Sequence, residues 1–400
     1  MPARLTERVV RLKPSATFAL DTAAKEKQRV GHPVISFALG EPDFPTPAHI
    51  CDAARDALAQ GKTRYTAAAG IPELREAVAE SLSSDVGATY KPNQVVISCG
   101  GKHALMDTWE CILEAGDEVV IISPYWVSYA DQVELCDAVP KIVRTSADTG
   151  FQPDLDQVRA LASKKTAAIL INSPSNPTGA VLAPEIIEGL AQIAIDVDAF
   201  IVTDEIYRHI LFDGRKHFSA SMISDEVRDR TIIIDGASKT YAMTGWRLGW
   251  MVAPEAVAKA AGSLQGQQTS NAASLSQYAA LAALRGSQDC VEEMRAEFER
   301  RRNFIIPALA EVPDVKIGMP GGAFYAFPEI SAYLDGRFTY RGEPVEHDMQ
   351  LAMYLLEEAL ISVVPGSAFG ADGYLRFSFA TSLDQIAEGV RRFGEALAAG

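Results

Sequence analysis

Apolar residues along this chain follow two different rhythms. Between Val95 and Val252 short continuous runs recur: VVIS from Val95, EVVIIS from Glu118, AAILI from Ala167, AFIVTD from Ala199, TIIID from Thr231 and LGWMVA from Leu248. Runs of this length, separated by segments with helical spacing, predict strands buried on both faces, as in a mostly parallel sheet covered by helices. After Cys290 the rhythm changes. Val291, Met294, Phe298, Ile305, Leu309 and Val312 fall at roughly helical intervals and predict a long amphipathic helix, after which GMPGGAFYAF opens a different pattern. The expectation is an α/β core followed by a smaller α+β region that reaches the C-terminus and packs with the first forty or so residues.

Composition narrows the function classes. A chain of 400 residues, 48% hydrophobic and 22% charged, can bury a large core and divide into more than one domain. A formal net charge of -15 disfavours polyanionic partners, so neither nucleic acid nor an acidic membrane surface is expected. Five cysteines without paired spacing predict free thiols in a reducing compartment, and six histidines without ligand spacing predict no metal site. Charges interrupt every apolar stretch of the first thirty residues, and no window approaches the ~20 apolar residues of a spanning helix, which points to the cytoplasm.

In such sheets ligands gather beyond the carboxyl ends of the strands, so the polar residues after each apolar run are the candidates for chemistry. VVIS is followed by Gly100-Gly101-Lys102 and a helical segment; the glycines let backbone N–H groups approach an anion, and the helix N-terminus adds positive potential. The same dipeptide also serves as an ordinary turn. After AAILI, the loop from Asn172 to Gly179 is stiffened by Pro174 and Pro177 and presents Asn176 as a fixed amide, although a stiff turn without a ligand has the same composition. Asp204 is delivered by an apolar strand to a place where it needs a cation such as a pyridinium nitrogen, unless it merely caps a helix, and Tyr207 follows it. Past TIIID stands Lys239, where partial desolvation favours the neutral amine that condenses with an aldehyde, and Arg247 offers a fixed cation for phosphate. A single lysine in such a place is usually a solvated charge; the conjunction gives it weight. An anion cradle, a rigid amide, a carboxylate, a phenol, an amine and an arginine form the set that pyridoxal 5'-phosphate (PLP) requires.

GEPDFPTP at Gly40, GKTRYTAAAGIPELREA at Gly61, SPYWVSY at Ser123, NSPSNPTGA at Asn172, DEIY at Asp204, GASKTYAMTGWRLG at Gly236 and VVPGSAFG at Val363 carry a family likeness, which runs from KPSAT at Lys13 to LRFSFATS at Leu375. On these motifs the chain resembles the class I, fold-type I PLP-dependent aminotransferases. Within them it is similar to the bacterial aspartate aminotransferase subgroup, which includes aspartate/prephenate aminotransferases. The resemblance implies the α/β PLP-transferase fold: a large domain over residues 46–310 with about seven strands sandwiched by helices, and a small α+β domain from residues 1–45 and 311–400.

The resemblance also implies individual roles. Lys239 holds PLP as a Schiff base and, once released, moves the proton of the substrate carbon. Asp204 keeps the pyridine nitrogen protonated, Tyr207 and Asn176 bond the ring oxygen, and Trp126 stacks on the ring. Gly101 and Lys102 through their backbone N–H groups, with Arg247, hold the phosphate, and Tyr65 reaches it from the partner of a homodimer. Arg376 clamps the substrate α-carboxylate near Gly40, while the Lys102 ammonium and the Thr17 hydroxyl take the distal carboxylate. Many relatives have Ser where this chain has Gly236, so one phosphate contact is lost, and Ser238 is not assumed to replace it.

The implied reaction is transfer of the amino group of L-aspartate to 2-oxoglutarate, giving oxaloacetate and L-glutamate by a ping-pong mechanism, with prephenate as an alternative acceptor. A PLP lyase or decarboxylase on the same fold is the nearest rival, because the cofactor-binding residues are shared. A transcription regulator carrying such a module would add a basic DNA-binding segment, which this acidic chain does not show.

Overall fold

Residues 5–12 and 16–399 are described by the structure, a computed structural model. The six apolar runs are strands, and side-chain alternation explains why they are apolar throughout. In Glu118–Ser123, Val119 and Ile121 join a cluster with Leu105 and Trp109, whereas Val120 joins a separate cluster with Ile187 and Leu190. Both faces of the strand are therefore covered, by helix α1 (Gly101–Ile112) on one side and α2 (Pro184–Asp196) on the other. Each fully buried Val, Leu or Ile contributes roughly 1.5–3 kcal/mol relative to exposure, which makes this double coverage the main support of the sheet.

The strands are β1 (Val95–Ser98), β2 (Glu118–Ser123), β3 (Val139–Arg144), β4 (Thr166–Asn172), β5 (Phe200–Asp204), β6 (Thr231–Gly236) and β7 (Gly249–Val252), in the spatial order β1-β7-β6-β5-β4-β2-β3. Strands β2 to β6 run parallel, and β7 runs antiparallel to both its neighbours. Sequence reading missed β3, an edge strand reading VPKIVR whose Pro140 and Lys141 suit an edge and hide its strand character. The register brings Asn172 opposite Asp204 and Gly236 opposite Gly249, so the polar residues that follow β4, β5 and β6 emerge at one end of the sheet.

The remaining chain builds a second packed region against this sheet. Ile35–Ser36 pairs in parallel with Ile361–Ser362, and β8 (Tyr325–Ala326), β9 (Val364–Pro365) and β10 (Leu375–Ser378) form an antiparallel sheet ordered β9-β10-β8. Phe37, Phe377 and Phe393 fill the centre of this region, with Leu20 from the helix Ala16–Arg29. The predicted long helix is α3 (Asp289–Ala310), whose Met294, Phe298, Ile305 and Leu309 are buried. Its polar face is not simply solvated: Arg301 forms a two-pronged contact with Asp43 at 2.7 and 3.0 Å, tying α3 to the N-terminal segment. No helix among the described residues is long and apolar enough to cross a membrane.

Candidate active site

A cleft of about 440 Å3 opens where the strand ends meet the second region. Its lining includes Gly40, Gly101, Lys102, Trp126, Asn176, Asp204, Tyr207, Lys239, Arg247 and Arg376, drawn from across the sequence, and Ser238 also borders it. Tyr65 does not line the cleft and is 89% exposed. Thr17 lies in the helix Ala16–Arg29, but its side chain falls outside the described residues.

Asp204 ends β5 and is 6% exposed. Its Oδ2 accepts a 2.7 Å hydrogen bond from the Tyr129 hydroxyl and its Oδ1 accepts from the Ile206 N–H at 3.1 Å. Burial pushes the carboxyl up to about 6, and those two donors offset only part of the cost. A buried carboxylate held this way calls for a cation in the cleft, a part that a protonated pyridine nitrogen would fill.

Lys239 sits in the short helix Ala237–Thr240 directly after β6. Burial lowers its ammonium to about 8, aided by the positive charges of Arg376 and Arg247 and opposed by Glu41. In this setting its Nζ donates to the Gly40 carbonyl. A substantial neutral fraction near pH 8 is what nucleophilic attack on an aldehyde demands.

Helix α1 starts at Gly101 with Gly100 as its N-cap, at φ 92°, and no side chain caps the first turn. Uncapped N–H groups at a helix start form an anion site. Arg247 adds a charge beside it: a side chain on Gly100 would meet the Arg247 Nη2 at 2.7 Å. Behind the cradle, any side chain on Gly249 would strike the Gly101 amide nitrogen, and one on Gly236 would come within 2.8 Å of the Gly249 Cα. Gly236 therefore serves the packing behind the cradle.

On the opposite wall, Arg376 is buried in β10, with Nη1 donating to Asn176 Oδ1 at 3.0 Å and Nη2 to the Ala38 carbonyl at 2.6 Å. Its Nε is buried without a hydrogen-bond partner among the described residues. Because Asn176 Oδ1 is engaged by Arg376, its amide NH2 remains the donor directed to other groups. Lys102 places its ammonium 4.8 Å from the centre of the Trp126 ring, held below the usual lysine range by partial burial and by Arg247. The donor set, a cradle of backbone N–H groups with Arg247, a buried acid, a neutralisable amine and two further cations, fits PLP and a carboxylate substrate.

The family model for class I and II aminotransferases matches residues 32–393. The chain belongs to this family. It is 44% identical to the probable aspartate/prephenate aminotransferase of Aquifex aeolicus (strain VF5) over 98% of both chains. It is 43% identical to the aspartate aminotransferase of Bacillus sp. (strain YM-2), again over 98% of both. Among solved structures, the Thermus thermophilus aspartate aminotransferase with maleate has a TM-score of 0.92 at 40% identity, covering 98% of this chain and 100% of that one. The Rhizobium meliloti aspartate aminotransferase has a TM-score of 0.94 at 35% identity, covering 99% of both chains. As a class I and II aminotransferase this protein is a PLP-dependent enzyme of fold type I that acts on amino acids and 2-oxo acids.

Sequence reading of this aminotransferase missed several residues that the cleft uses. Tyr129 holds Asp204, and Asn172 links the two strand ends by donating to the Asp204 carbonyl at 3.0 Å and accepting from the Asn176 N–H at 3.0 Å. Tyr325 and Phe369 place rings 4.6 and 4.9 Å from the Arg376 guanidinium carbon. Tyr129 lies inside the quoted SPYWVSY motif and Tyr325 inside GGAFYAF, so aromatic residues in those motifs were the available signal.

Proposed function

We propose that this aminotransferase takes L-aspartate as amino donor and 2-oxoglutarate as acceptor, giving oxaloacetate and L-glutamate by a ping-pong mechanism in the cytoplasm. The observation that carries the substrate reading is the pair of cations in one cleft, buried Arg376 and the Lys102 ammonium over Trp126. Two carboxylates on one small substrate need two such partners. The Thermus thermophilus relative whose structure includes maleate, a four-carbon dicarboxylate, agrees with that demand. Prephenate is a second reading, supported by the aspartate/prephenate names of the Aquifex aeolicus and Thermus thermophilus relatives.

In this reading PLP, when bound, supplies an aldehyde that captures the amine and a ring that accepts the electron pair left on the substrate carbon. Lys239 Nζ would hold the cofactor and, once free of it, would hold and move the proton of the substrate carbon. The Asp204 carboxylate would hold the proton of the ring nitrogen. Tyr207 and the Asn176 NH2 would donate to the ring oxygen, and Trp126 would pack against the ring. Gly101 and Lys102 N–H with Arg247 hold the phosphate. Arg376 turns its guanidinium to the α-carboxylate beside Gly40, and Lys102, with the Thr17 hydroxyl, takes the distal carboxylate.

The composite homodimer belongs to the same proposal. Tyr65 is presented on a loop fixed from beneath, because buried Gln277 donates to Thr66 Oγ1 at 3.0 Å and accepts from the Ile71 N–H at 2.8 Å. An exposed phenol on a fixed loop suits delivery into a partner's phosphate site. The proposal keeps a large domain over 46–310 and a small one from 1–45 and 311–400, with the helix Asp289–Ala310 of the larger range packing its apolar face into the cluster of Phe37 and Phe377.

The test is an amino-donor panel at saturating 2-oxoglutarate, followed by glutamate release. Aspartate should exceed alanine and the aromatic amino acids in kcat/KM by at least about tenfold, the value of one charged contact. Equal use of alanine would reject the dicarboxylate reading.

A further inference from the structure

Tyr325 stands where three parts of the cleft meet. Its hydroxyl oxygen lies 2.7 Å from that of Tyr207, and either atom can donate. Its ring lies beneath Arg376, 4.6 Å from the guanidinium carbon. Any side chain on Gly40 would begin 2.5 Å from its hydroxyl, so the Gly40 backbone closes over it. The residue is 1% exposed and is held in β8 by pairing with Ser378 of β10, the strand that also carries Arg376. Tyr207, by contrast, follows β5 of the central sheet. The phenol pair therefore joins the two packed regions.

Two buried hydroxyls sharing one hydrogen bond have an undecided direction until a third group takes one proton. When the cofactor's ring oxygen accepts from Tyr207, the Tyr207 proton is committed to that oxygen. The proton between the phenols must then belong to Tyr325. The result is a directed chain in which Tyr325 donates to Tyr207 and Tyr207 donates to the ring oxygen. A hydroxyl that accepts a hydrogen bond becomes a stronger donor, the more so in a dry site.

We propose that Tyr325 is a positioning residue for transamination: its hydroxyl aims and polarises Tyr207 toward the ring oxygen, from a ring that also supports the Arg376 carboxylate clamp. The inference rests on the role given above to Tyr207. It makes one aromatic side chain the common support of the ring-oxygen contact and the substrate-carboxylate contact, two sites carried by different sheets.

The experiment is a pH titration of the visible absorbance of the PLP-loaded enzyme for wild type, Tyr207→Phe, Tyr325→Phe and the double variant. The midpoint reports protonation next to the ring oxygen. A weaker donor leaves more negative charge on that oxygen, which retains the neighbouring proton to higher pH. Tyr325→Phe should raise the midpoint by about half a pH unit, in the same direction as Tyr207→Phe and by less. In the Tyr207→Phe background, Tyr325→Phe should add nothing, because it acts through the missing hydroxyl. Its KM for the amino donor should stay near wild type, since the ring under Arg376 is kept, whereas Tyr325→Leu should raise KM. A midpoint moved by Tyr207→Phe but not by Tyr325→Phe overturns the proposal and leaves the Tyr207 role standing. Equal shifts from Tyr325→Phe with and without the Tyr207 hydroxyl overturn it too. No shift in Tyr207→Phe would refute the ring-oxygen role, and this inference with it.

Discussion

The hydroxyl of Tyr129 donates to Asp204 Oδ2 at 2.7 Å, with both groups buried. Burial and the Asp204 charge hold the phenol well above the ordinary tyrosine range, so it remains a donor wherever the enzyme is folded. In its proposed role Asp204 must be ionised to hold a proton on the ring nitrogen, and its carboxyl is already pushed up to about 6.

Tyr129→Phe should raise the Asp204 carboxyl further, because the anion loses a donor and the neutral acid does not depend on it. The acid limb of the kcat/KM profile should move to higher pH. Activity at pH 7 should fall about tenfold or more, as expected for a hydrogen bond to a charged group. An unmoved acid limb would mean that Tyr129 does not tune Asp204.

Lys239, lowered to about 8, predicts when the cofactor-free protein can capture PLP. Only the neutral amine attacks the aldehyde, so the rate of absorbance growth should rise with pH and level off above about 8. An ordinary lysine would continue to gain until about 10.4. Stopped-flow absorbance on the cofactor-free enzyme measures the rate, and Lys239→Ala should form no such band at any pH.

Lys102→Ala should separate substrates by charge. For aspartate, kcat/KM should drop by about 10–100-fold, the cost of losing one charge-assisted contact, while an uncharged donor such as alanine changes little. An equal fall on both donors would remove the distal-carboxylate role from the Lys102 ammonium.

Asp107, in α1 behind that cradle, is fully buried, with its Oδ2 accepting from the Ser98 hydroxyl at 3.4 Å and its Oδ1 lying 3.4 Å from His103 Nε2. Burial raises its carboxyl from 3.8 to about 7. The folded state therefore binds the proton more tightly than the unfolded chain. Stability linked to Asp107 is fully present below pH about 4 and is lost as pH rises through about 7. Asp107→Asn, which carries no such charge, should show its largest gain in Tm over wild type at pH 8 and the smallest near pH 5, measured by thermal melts of the loaded enzyme.

How much of this was legible before folding depends on how local each signal is. Asp204 and Lys239 could be read because each follows its own apolar run, and a strand end is a local event. The direction of β7 could not, since LGWMVA has the same apolar continuity whether it pairs parallel or antiparallel. The edge strand β3 was hidden because half-exposed positions do not require apolar residues. Tyr129 and Tyr325 act on partners 75 and 118 residues away, so no spacing rule links them. The expectation that Tyr65 serves a partner's site came from the family likeness and from no spacing rule, and its 89% exposure outside the cleft agrees with it.

Where Gly101, Gly249 and Gly236 are stacked, successive layers of main chain touch with no side chain between them. A wall made this way has no rotamers to exchange and nothing to truncate, so it is stiff without needing to be large. Adapting the proposed anchor site to a bulkier or differently charged group would have to proceed through Arg247 and the surrounding loops, because a single methyl added at Gly249 would displace the Gly101 amide.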